Sequence, residues 1–306
     1  MKIGIGVDTS GTLDQVLPRF TQAEADGFAS VWIPNIFGYD AIMLLALAGS
    51  VTSTIELGTF VVPTYPRHPS AIAQQALTAA AATGGRFTLG IGLSHKLVIE
   101  DMFGLDYSKP IRHMREYLTI LDRALTGQPT RFQGEEFRVG FQIEVPGTTK
   151  PPVVVAALGP QMLKLAGRLA DGTATWMGGP KYLAKTAVPI ITAAAKEAGR
   201  AAPRIIAGFP IAVTTKVDEA KSAASQNFAI YGQLPSYRAV LDVEGAADAS
   251  GVAILGDEAE VTRQLRHLAE AGVTDFNASP YPVPGDADAP KRTHALLANL
   301  ARNGLS

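Results

Sequence analysis

Short apolar runs alternate with longer segments of helical spacing along most of the chain. The first two runs are IGIGV at residues 3–7 and ASVWIP at residues 29–34, and each precedes a helical pattern. Apolar runs with so little polar alternation are typical of parallel strands that are buried on both faces. The pattern predicts eight strands, at residues 3–7, 29–34, 55–62, 86–92, 151–158, 172–177, 204–215 and 273–279.

Eight strand–helix units indicate an α/β fold of the closed (β/α)₈ TIM-barrel type rather than an open doubly wound sheet. The segment around residues 131–145 breaks the rhythm and predicts a β-hairpin inserted on the rim. This hairpin and the loop at residues 94–110 are expected to be the longest excursions. We predict a single domain over residues 1–306.

Composition narrows the possible partners. The net charge is −1 and charged residues make up 18% of the chain, without a basic cluster interleaved with aromatics, so we expect no nucleic-acid partner. Because the longest apolar stretch, at residues 41–49, is too short to span a bilayer, we expect no membrane partner and a cytoplasmic location. Cysteine is absent and the five histidines form no HExxH motif, so no metal site is predicted.

Residues that follow the strands are the candidates for chemistry, because barrel active sites form at the carboxyl ends of the strands. The candidates with titratable or hydrogen-bonding side chains are Asn35, Asp40, Tyr65, His68, Ser94 and His95. The alternative is that His68 and His95 are solvated loop histidines without a chemical role. His113, His267 and His294 are expected on helix faces remote from the strand ends.

Two glycine loops open helices after strands five and six. The amides at a helix start attract anions, so the pair predicts one phosphate held between the loops; ordinary helix capping is the alternative. The loop residues are Ala157, Leu158, Gly159, Pro160, Gln161, Met162, Gly178 and Gly179. GIGLSHK, at residues 90–96, lacks the third glycine of a dinucleotide fingerprint, and its two glycines also suit close strand packing.

Taken together, LGTFVVPTYPRHP, RFTLGIGLSHK, RHMREYLTIL and VVVAALGPQMLKLAGRLADGTATWM resemble the bacterial luciferase-like superfamily. The resemblance is strongest to the actinobacterial branch that uses the deazaflavin coenzyme F420. It implies a ring bound in the barrel mouth against a non-prolyl cis peptide, matching Phe60–Val61, with Gly92, Ser94 and His95 along the ring edge. It also implies that the two glycine loops hold the cofactor phosphate. We also assign Asn35 to cofactor binding. It follows strand two, where many relatives have the pair Asp-His.

The resemblance implies an oxidoreductase that transfers a hydride between coenzyme F420 and a small organic substrate, by C=C or C=O reduction or by alcohol oxidation. We expect His95 to be the proton donor, with Tyr65, His68 and Asp40 in reserve. The alternatives are an FMN-dependent monooxygenase, a non-catalytic cofactor-binding paralogue and a phosphosugar enzyme on an unrelated barrel. Similar barrels commonly dimerise, so a homodimer is expected.

Overall fold

The computed structural model describes residues 1–305. Its strands are β1 (Lys2–Ile5), β2 (Ser30–Ile33), β3 (Glu56–Thr59), β4 (Val62–Pro63), β5 (Phe87–Gly92), β6 (Thr130–Gln133), β7 (Arg138–Phe141), β8 (Val153–Ala156), β9 (Gly172–Trp176), β10 (Arg204–Val213), β11 (Ile254–Gly256) and β12 (Asp275–Pro280). Its helices are α1 (Leu13–Ala25), α2 (Ala41–Val51), α3 (Pro69–Ala82), α4 (Pro110–Ala124), α5 (Pro160–Leu169), α6 (Pro180–Tyr182), α7 (Val188–Glu197), α8 (Val217–Asn227), α9 (Pro235–Glu244), α10 (Glu258–Glu270) and α11 (Ala289–Asn303). Single π-helical turns cover Val98–Met102 and Leu183–Ala187.

The parallel strands close into a barrel, which confirms the predicted fold class. The order around the wall is β1-β2-β3-β5-β8-β9-β10-β12, and β12 pairs with β1 to close the ring. The short strand β4 continues the position of β3 beside β5, so the third predicted strand is broken in two by a bulge. The predicted rim hairpin is present as the antiparallel pair β6–β7.

The longest excursion differs from the expectation. It runs from residue 214 to residue 253, between β10 and β11, and carries α8 and α9. Its helices α8 and α9 have an amphipathic spacing like that of the outer layer, so the hydrophobic pattern did not separate them from the barrel. The additional strand β11 pairs with the last residues of β10, beyond the closed wall.

An ion cluster fills the end of the barrel where the strands begin. Arg204 on β10 donates to Glu56 on β3 at 2.7 Å and to Asp275 on β12 at 2.6 Å. Asp275 is only 2% exposed, whereas Arg204 and Glu56 are half-buried, so one guanidinium holds two carboxylates together at this end of the barrel. Polar side chains at this end therefore serve the wall rather than the site.

Trp32 forms the next layer of the barrel interior. Its indole N–H donates to the Ser30 Oγ at 2.8 Å, and its ring packs with Val154 and Ile206. A Cβ at Gly58 would lie 2.1 Å from the Trp32 ring, so glycine is required there by the close approach of the indole. The mouth lies above this layer, at the carboxyl ends of the strands.

Helix α2 carries an unusual outer face. Met43, Leu47 and Val51 follow one another at helical spacing, and all three are exposed. Within residues 1–305, no helix has both the length and the apolar character needed to cross a membrane.

Candidate active site at the barrel mouth

The bulge after β3 forms one wall of the mouth. The peptide bond between Phe60 and Val61 is cis, at the position implied by the resemblance. The Phe60 ring reaches across the interior to β10, where a Cβ at Gly208 would lie 2.8 Å from its Cζ. Phe60 therefore projects into the barrel between opposite walls.

The two glycines of β5 make room for this bulge. A Cβ at Gly90 would lie 2.0 Å from the Thr59 carbonyl oxygen, and one at Gly92 would lie 2.7 Å from a Val61 methyl group. Close packing of two strands thus accounts for both glycines of GIGLSHK, which is the alternative that the sequence left open. The side chain of Val61 already fills the space beside Gly92.

Asn35 and Asp40, after β2, form a network with Arg67. The Asp40 carboxylate caps α2 by accepting from the Met43 N–H at 3.0 Å, and it pairs with Arg67 at 2.6 Å. Asn35 Oδ1 accepts from the Ala41 N–H at 3.0 Å. The structure therefore gives both residues a local role in shaping the β2–α2 loop.

His68 has a similar local role. Its Nδ1 accepts from the Ser70 N–H at 3.2 Å and so caps the start of α3. Asp40 and His68 are thus both engaged in helix capping, which leaves Tyr65 and His95 as the less committed candidates for proton transfer.

Tyr65 stacks on a histidine that the sequence assigned to a remote helix face. The Tyr65 and His113 ring centroids are 4.0 Å apart, and His113 Nε2 lies 3.0 Å from the Thr64 Oγ1 at the end of β4. The expectation that His113 lies far from the strand ends is therefore wrong. It faces inward because it belongs to the buried face of α4, together with Met114 and Tyr117.

Burial controls the ionisation of this pair. Desolvation lowers the pKa of His113 to about 4, so the imidazole is neutral near pH 7. Its Nδ1 lies 3.2 Å from Glu136 of the rim hairpin. Burial also raises the pKa of Tyr65, whose hydroxyl is buried without a hydrogen-bond partner. Tyr65 is consequently a neutral phenol with an unused donor.

His95 lies beside two aromatic side chains of the excursion between β10 and β11. Its ring centroid is 6.4 Å from that of Tyr231 and 6.0 Å from that of Tyr237, both edge-to-face. Burial lowers the pKa of His95, which favours the neutral imidazole. Ser94, just before it, adopts a left-handed conformation with φ of 61°, and its carbonyl accepts from the Tyr107 hydroxyl at 3.3 Å.

The glycine loop after β8 has the features of an anion site. Gly159 is the N-cap of α5, no side chain caps this helix start, and Pro160 occupies its first position. The Leu158 carbonyl accepts from the Tyr182 hydroxyl at 2.5 Å, which joins this loop to the helix that follows β9. A helix start without a side-chain cap leaves amides that attract anions, and the assignment of residues 157–162 to a phosphate stays a prediction.

The second glycine loop already holds a carboxylate of the chain itself. Glu244, the last residue of α9, accepts from the Tyr182 N–H at 2.5 Å, and a Cβ at Gly179 would lie 2.3 Å from its carboxyl carbon. Lys181 donates to the Glu244 carbonyl at 2.9 Å. A phosphate bound at Gly178 and Gly179 would therefore have to displace Glu244, a residue for which the sequence gave no signal.

Two further polar groups near the mouth were missed by the sequence analysis. Trp176 Nε1 and Asn277 Oδ1 are buried and have no hydrogen-bond partner. The signal for Asn277 was its position in an otherwise apolar strand, two residues after Asp275. A cavity of about 330 Å³ between the end of α4 and residues 142–148 contains none of the predicted site residues. Among residues 1–305, no group of three potential ligands is arranged to bind a metal ion.

Comparison with known proteins identifies the family. The luciferase-like monooxygenase family model matches residues 1–275. The 5,10-methylenetetrahydromethanopterin reductase of Archaeoglobus fulgidus is 32% identical over 213 residues, which cover 66% of this chain and 61% of that protein.

Two solved structures share the fold over nearly their whole length. The coenzyme F420-dependent tetrahydromethanopterin reductase from Methanopyrus kandleri superposes with a TM-score of 0.82 at 24% identity, covering 100% of this chain and 99% of that one. The oxygenating constituent of 3,6-diketocamphane monooxygenase from Pseudomonas putida, a type II Baeyer–Villiger enzyme in complex with FMN, gives 0.77 at 18% identity, covering 100% and 98%. At these identities the structures establish the fold alone. With the family match over residues 1–275, they show that the chain belongs to the luciferase-like monooxygenase family and is an oxidoreductase.

Proposed function

We propose that the protein is a coenzyme F420-dependent oxidoreductase that transfers a hydride between this cofactor and a small organic substrate. The reaction is a C=C or C=O reduction, or the reverse oxidation of an alcohol. The observation that carries the proposal is His95, because its half-buried imidazole, whose pKa is lowered by desolvation, lies beside Tyr231 and Tyr237 and forms no ion pair within residues 1–305. The similarity to a reductase of Archaeoglobus fulgidus supports the same class of reaction.

The bound cofactor would supply the hydride chemistry, and this chain would supply orientation, exclusion of water and one proton. In the proposal, residues 157–162 hold the phosphate, and Gly178 and Gly179 join them once Glu244 withdraws. Asn35, Phe60, Val61, Gly92 and Ser94 border the ring.

Proton transfer is assigned to a ring nitrogen of His95. Since burial lowers the pKa of His95, the neutral imidazole is favoured and would accept the proton in alcohol oxidation, whereas in reduction the protonated fraction would donate it as a stronger acid than an exposed imidazolium. The rings of Tyr231 and Tyr237 lie edge-to-face beside the imidazole and cover part of its surface. Tyr65, a neutral phenol with a free hydroxyl, is the second candidate donor.

A titration of the purified protein with coenzyme F420 and with FMN, followed by fluorescence, tests the cofactor. We expect tight binding of F420 and weak binding of FMN. Micromolar binding of FMN without binding of F420 would instead favour the FMN-dependent monooxygenase, a function supported by the FMN-bound structural neighbour.

Turnover tests the role of His95. With reduced F420 and a panel of enones and aldehydes, His95→Ala should lower kcat at least 100-fold, as expected for loss of a general acid, with little change in cofactor affinity. His267→Ala is the matched control, since His267 is exposed on α10, where its Nδ1 lies 3.5 Å from a carboxylate oxygen of Glu270. Binding of F420 without oxidation of the reduced cofactor by any substrate would indicate a non-catalytic paralogue.

A homodimer in the cytoplasm completes the proposal. The exposed apolar row Met43, Leu47 and Val51 on α2, next to exposed Ile36 and Phe37, supports a contact between two copies. Sedimentation should give a dimer for the wild-type protein and a monomer for Leu47→Glu, and cell fractionation tests the location.

A further inference from the structure

The loop between β5 and α4 carries His95 with few polar ties to the barrel. Within residues 1–305, the hydrogen bonds of residues 94–109 run inside this loop or into the first turn of α4. The imidazole of His95 lies edge-to-face against Tyr231 and Tyr237, and no described residue forms a hydrogen bond to its ring nitrogens. The position of His95 therefore depends on how its main chain is fixed.

Ser94, the residue before His95, has an unfavourable backbone conformation. Its φ is 61°, in the left-handed region that serine rarely adopts. Lys109, at the other end of the loop, is left-handed as well, with φ of 54°. Residues keep such a conformation only where surrounding contacts hold them in it. The loop thus needs a contact near Ser94 that offsets this strain.

The Tyr107 hydroxyl makes that contact. It donates to the Ser94 carbonyl oxygen at 3.3 Å and so joins the beginning of the loop to its end. The Ser94 carbonyl belongs to the same planar peptide group as the His95 N–H, so its orientation decides the direction in which the His95 side chain leaves the main chain. Burial raises the pKa of Tyr107, and the phenol therefore keeps the proton that it donates.

The ring of Tyr107 is anchored to the barrel. Over residues 101–109, Tyr107 is the only residue that is not exposed. Its ring centroid is 5.2 Å from that of Tyr65, and the Tyr65 ring stacks on His113 at 4.0 Å. His113 is held in turn by Thr64, whose Oγ1 lies 3.0 Å from the imidazole Nε2. A column of three rings thus supports the hydroxyl that reaches the loop.

We infer that Tyr107 is a positioning residue for His95. Its hydroxyl holds the peptide group between Ser94 and His95 in the orientation that places the imidazole against Tyr231 and Tyr237. One hydrogen bond and the strain of one left-handed residue are of the same order of free energy, so this bond decides which conformation of Ser94 prevails. Without the hydroxyl, the peptide group turns to a relaxed conformation and the imidazole leaves the two rings.

The effect on turnover rests on the proposed function, in which His95 transfers the proton. The hold of Tyr107 on His95, by contrast, can be measured in the ligand-free protein. The two parts are therefore tested one after the other.

Tyr107→Phe removes the hydroxyl and keeps the ring. In the ligand-free protein, an NMR titration of the histidine rings measures the pKa of His95, which burial lowers from its ordinary value of 6.5. In Tyr107→Phe this pKa should lie closer to 6.5, because the released imidazole is exposed to water. The spectrum of His95→Ala assigns the signals of His95.

Tyr39→Phe is the matched control for this titration. The Tyr39 hydroxyl also donates to a main-chain carbonyl, that of Gly11, at 2.8 Å, but in the loops after β1 and β2. This variant should leave the pKa of His95 at its wild-type value. A pKa of His95 in Tyr107→Phe equal to that of the wild-type protein would overturn the inference.

Turnover gives the second test. With reduced F420 and the same enones and aldehydes, Tyr107→Phe should lower kcat about tenfold, the change that corresponds to loss of one hydrogen bond. KM and the dissociation constant of F420 should stay within about twofold of wild type, because the ground-state contacts to both molecules are unchanged. A merely structural defect would instead lower the fraction of the protein that binds F420.

Two results separate this inference from the proposed function. A shifted pKa of His95 with unchanged kcat would support the hold of Tyr107 on His95 and refute the role of His95 in proton transfer. If the wild-type protein does not bind F420, the proposed function fails, and the NMR titration of the ligand-free protein then decides the inference by itself.

Discussion

Removal of the Glu244 carboxylate is expected to tighten cofactor binding. In the structure this carboxylate accepts from the Tyr182 N–H at 2.5 Å and covers Gly179, where the cofactor phosphate is proposed to bind. A phosphate that approaches the same amides must break this hydrogen bond and meets a like charge. Glu244→Ala removes both obstacles.

The structure indicates the size of the effect. Hydrogen bonds to charged groups contribute about 1.5–3 kcal/mol, and the lower end applies because Glu244 is half-buried and regains water when it moves. About 1.5 kcal/mol corresponds to a roughly tenfold lower dissociation constant. The ligand-free variant should lose about 1 kcal/mol of stability, as for removal of a helix cap.

Fluorescence titration with F420 and FMN measures the change in affinity, and urea unfolding measures the change in stability. Asp242→Ala is the matched control, because Asp242 lies on the same helix but is exposed and pairs with Arg238 at 2.8 Å. It should leave the dissociation constant unchanged. An unchanged or higher dissociation constant for Glu244→Ala would refute the reasoning and show that the phosphate does not use this loop.

Three further predictions concern the fold. Burial lowers the pKa of His113 from 6.5 to about 4, so on acidification the unfolded chain binds this proton before the folded protein does. Protonation of His113 should therefore lower the unfolding free energy of the wild-type protein by about 3 kcal/mol between pH 6.5 and pH 4. In urea unfolding, His113→Phe should lack this contribution to the dependence of stability on pH. Gly58→Ala should destabilise the protein by about 3 kcal/mol, since the Trp32 ring has no room to move, whereas Gly38→Ala, with open space around it, should change the unfolding free energy by less than about 0.5 kcal/mol. Arg204→Met should lower the unfolding free energy by about 3 kcal/mol, because it leaves the buried Asp275 and the half-buried Glu56 without a counter-charge.

The hydrophobic pattern was sufficient to predict the barrel, because the strands of the barrel are buried on both faces. Every residue of β5 and nearly every residue of β10 is buried, so the runs stand out against the mixed polarity of the helices. The break between β3 and β4 was not visible in this pattern, because Phe60 and Val61 are as apolar as the strand around them. Only the resemblance pointed to that bulge.

The candidate site was predicted less completely, because a single sequence does not show which side chains from distant segments come into contact. His113 reaches Thr64 across 49 positions, and Glu244 reaches Tyr182 across 62. Neither spacing belongs to a motif. Asn277 was visible as a polar residue in an apolar strand, but its unpartnered oxygen follows only from the atoms around it.

The excursion between β10 and β11 leaves the wall and returns to it at one place. Val213 is in register with Gly256, and the Thr214 N–H donates to the Gly256 carbonyl at 2.8 Å. The ends of this long loop are therefore fixed side by side, and doubling its length would cost only about 0.6 kcal/mol in closure entropy. The segment that brings Tyr231 and Tyr237 to His95 is thus inserted at a single fixed junction in the wall, where a change in its length costs little closure entropy.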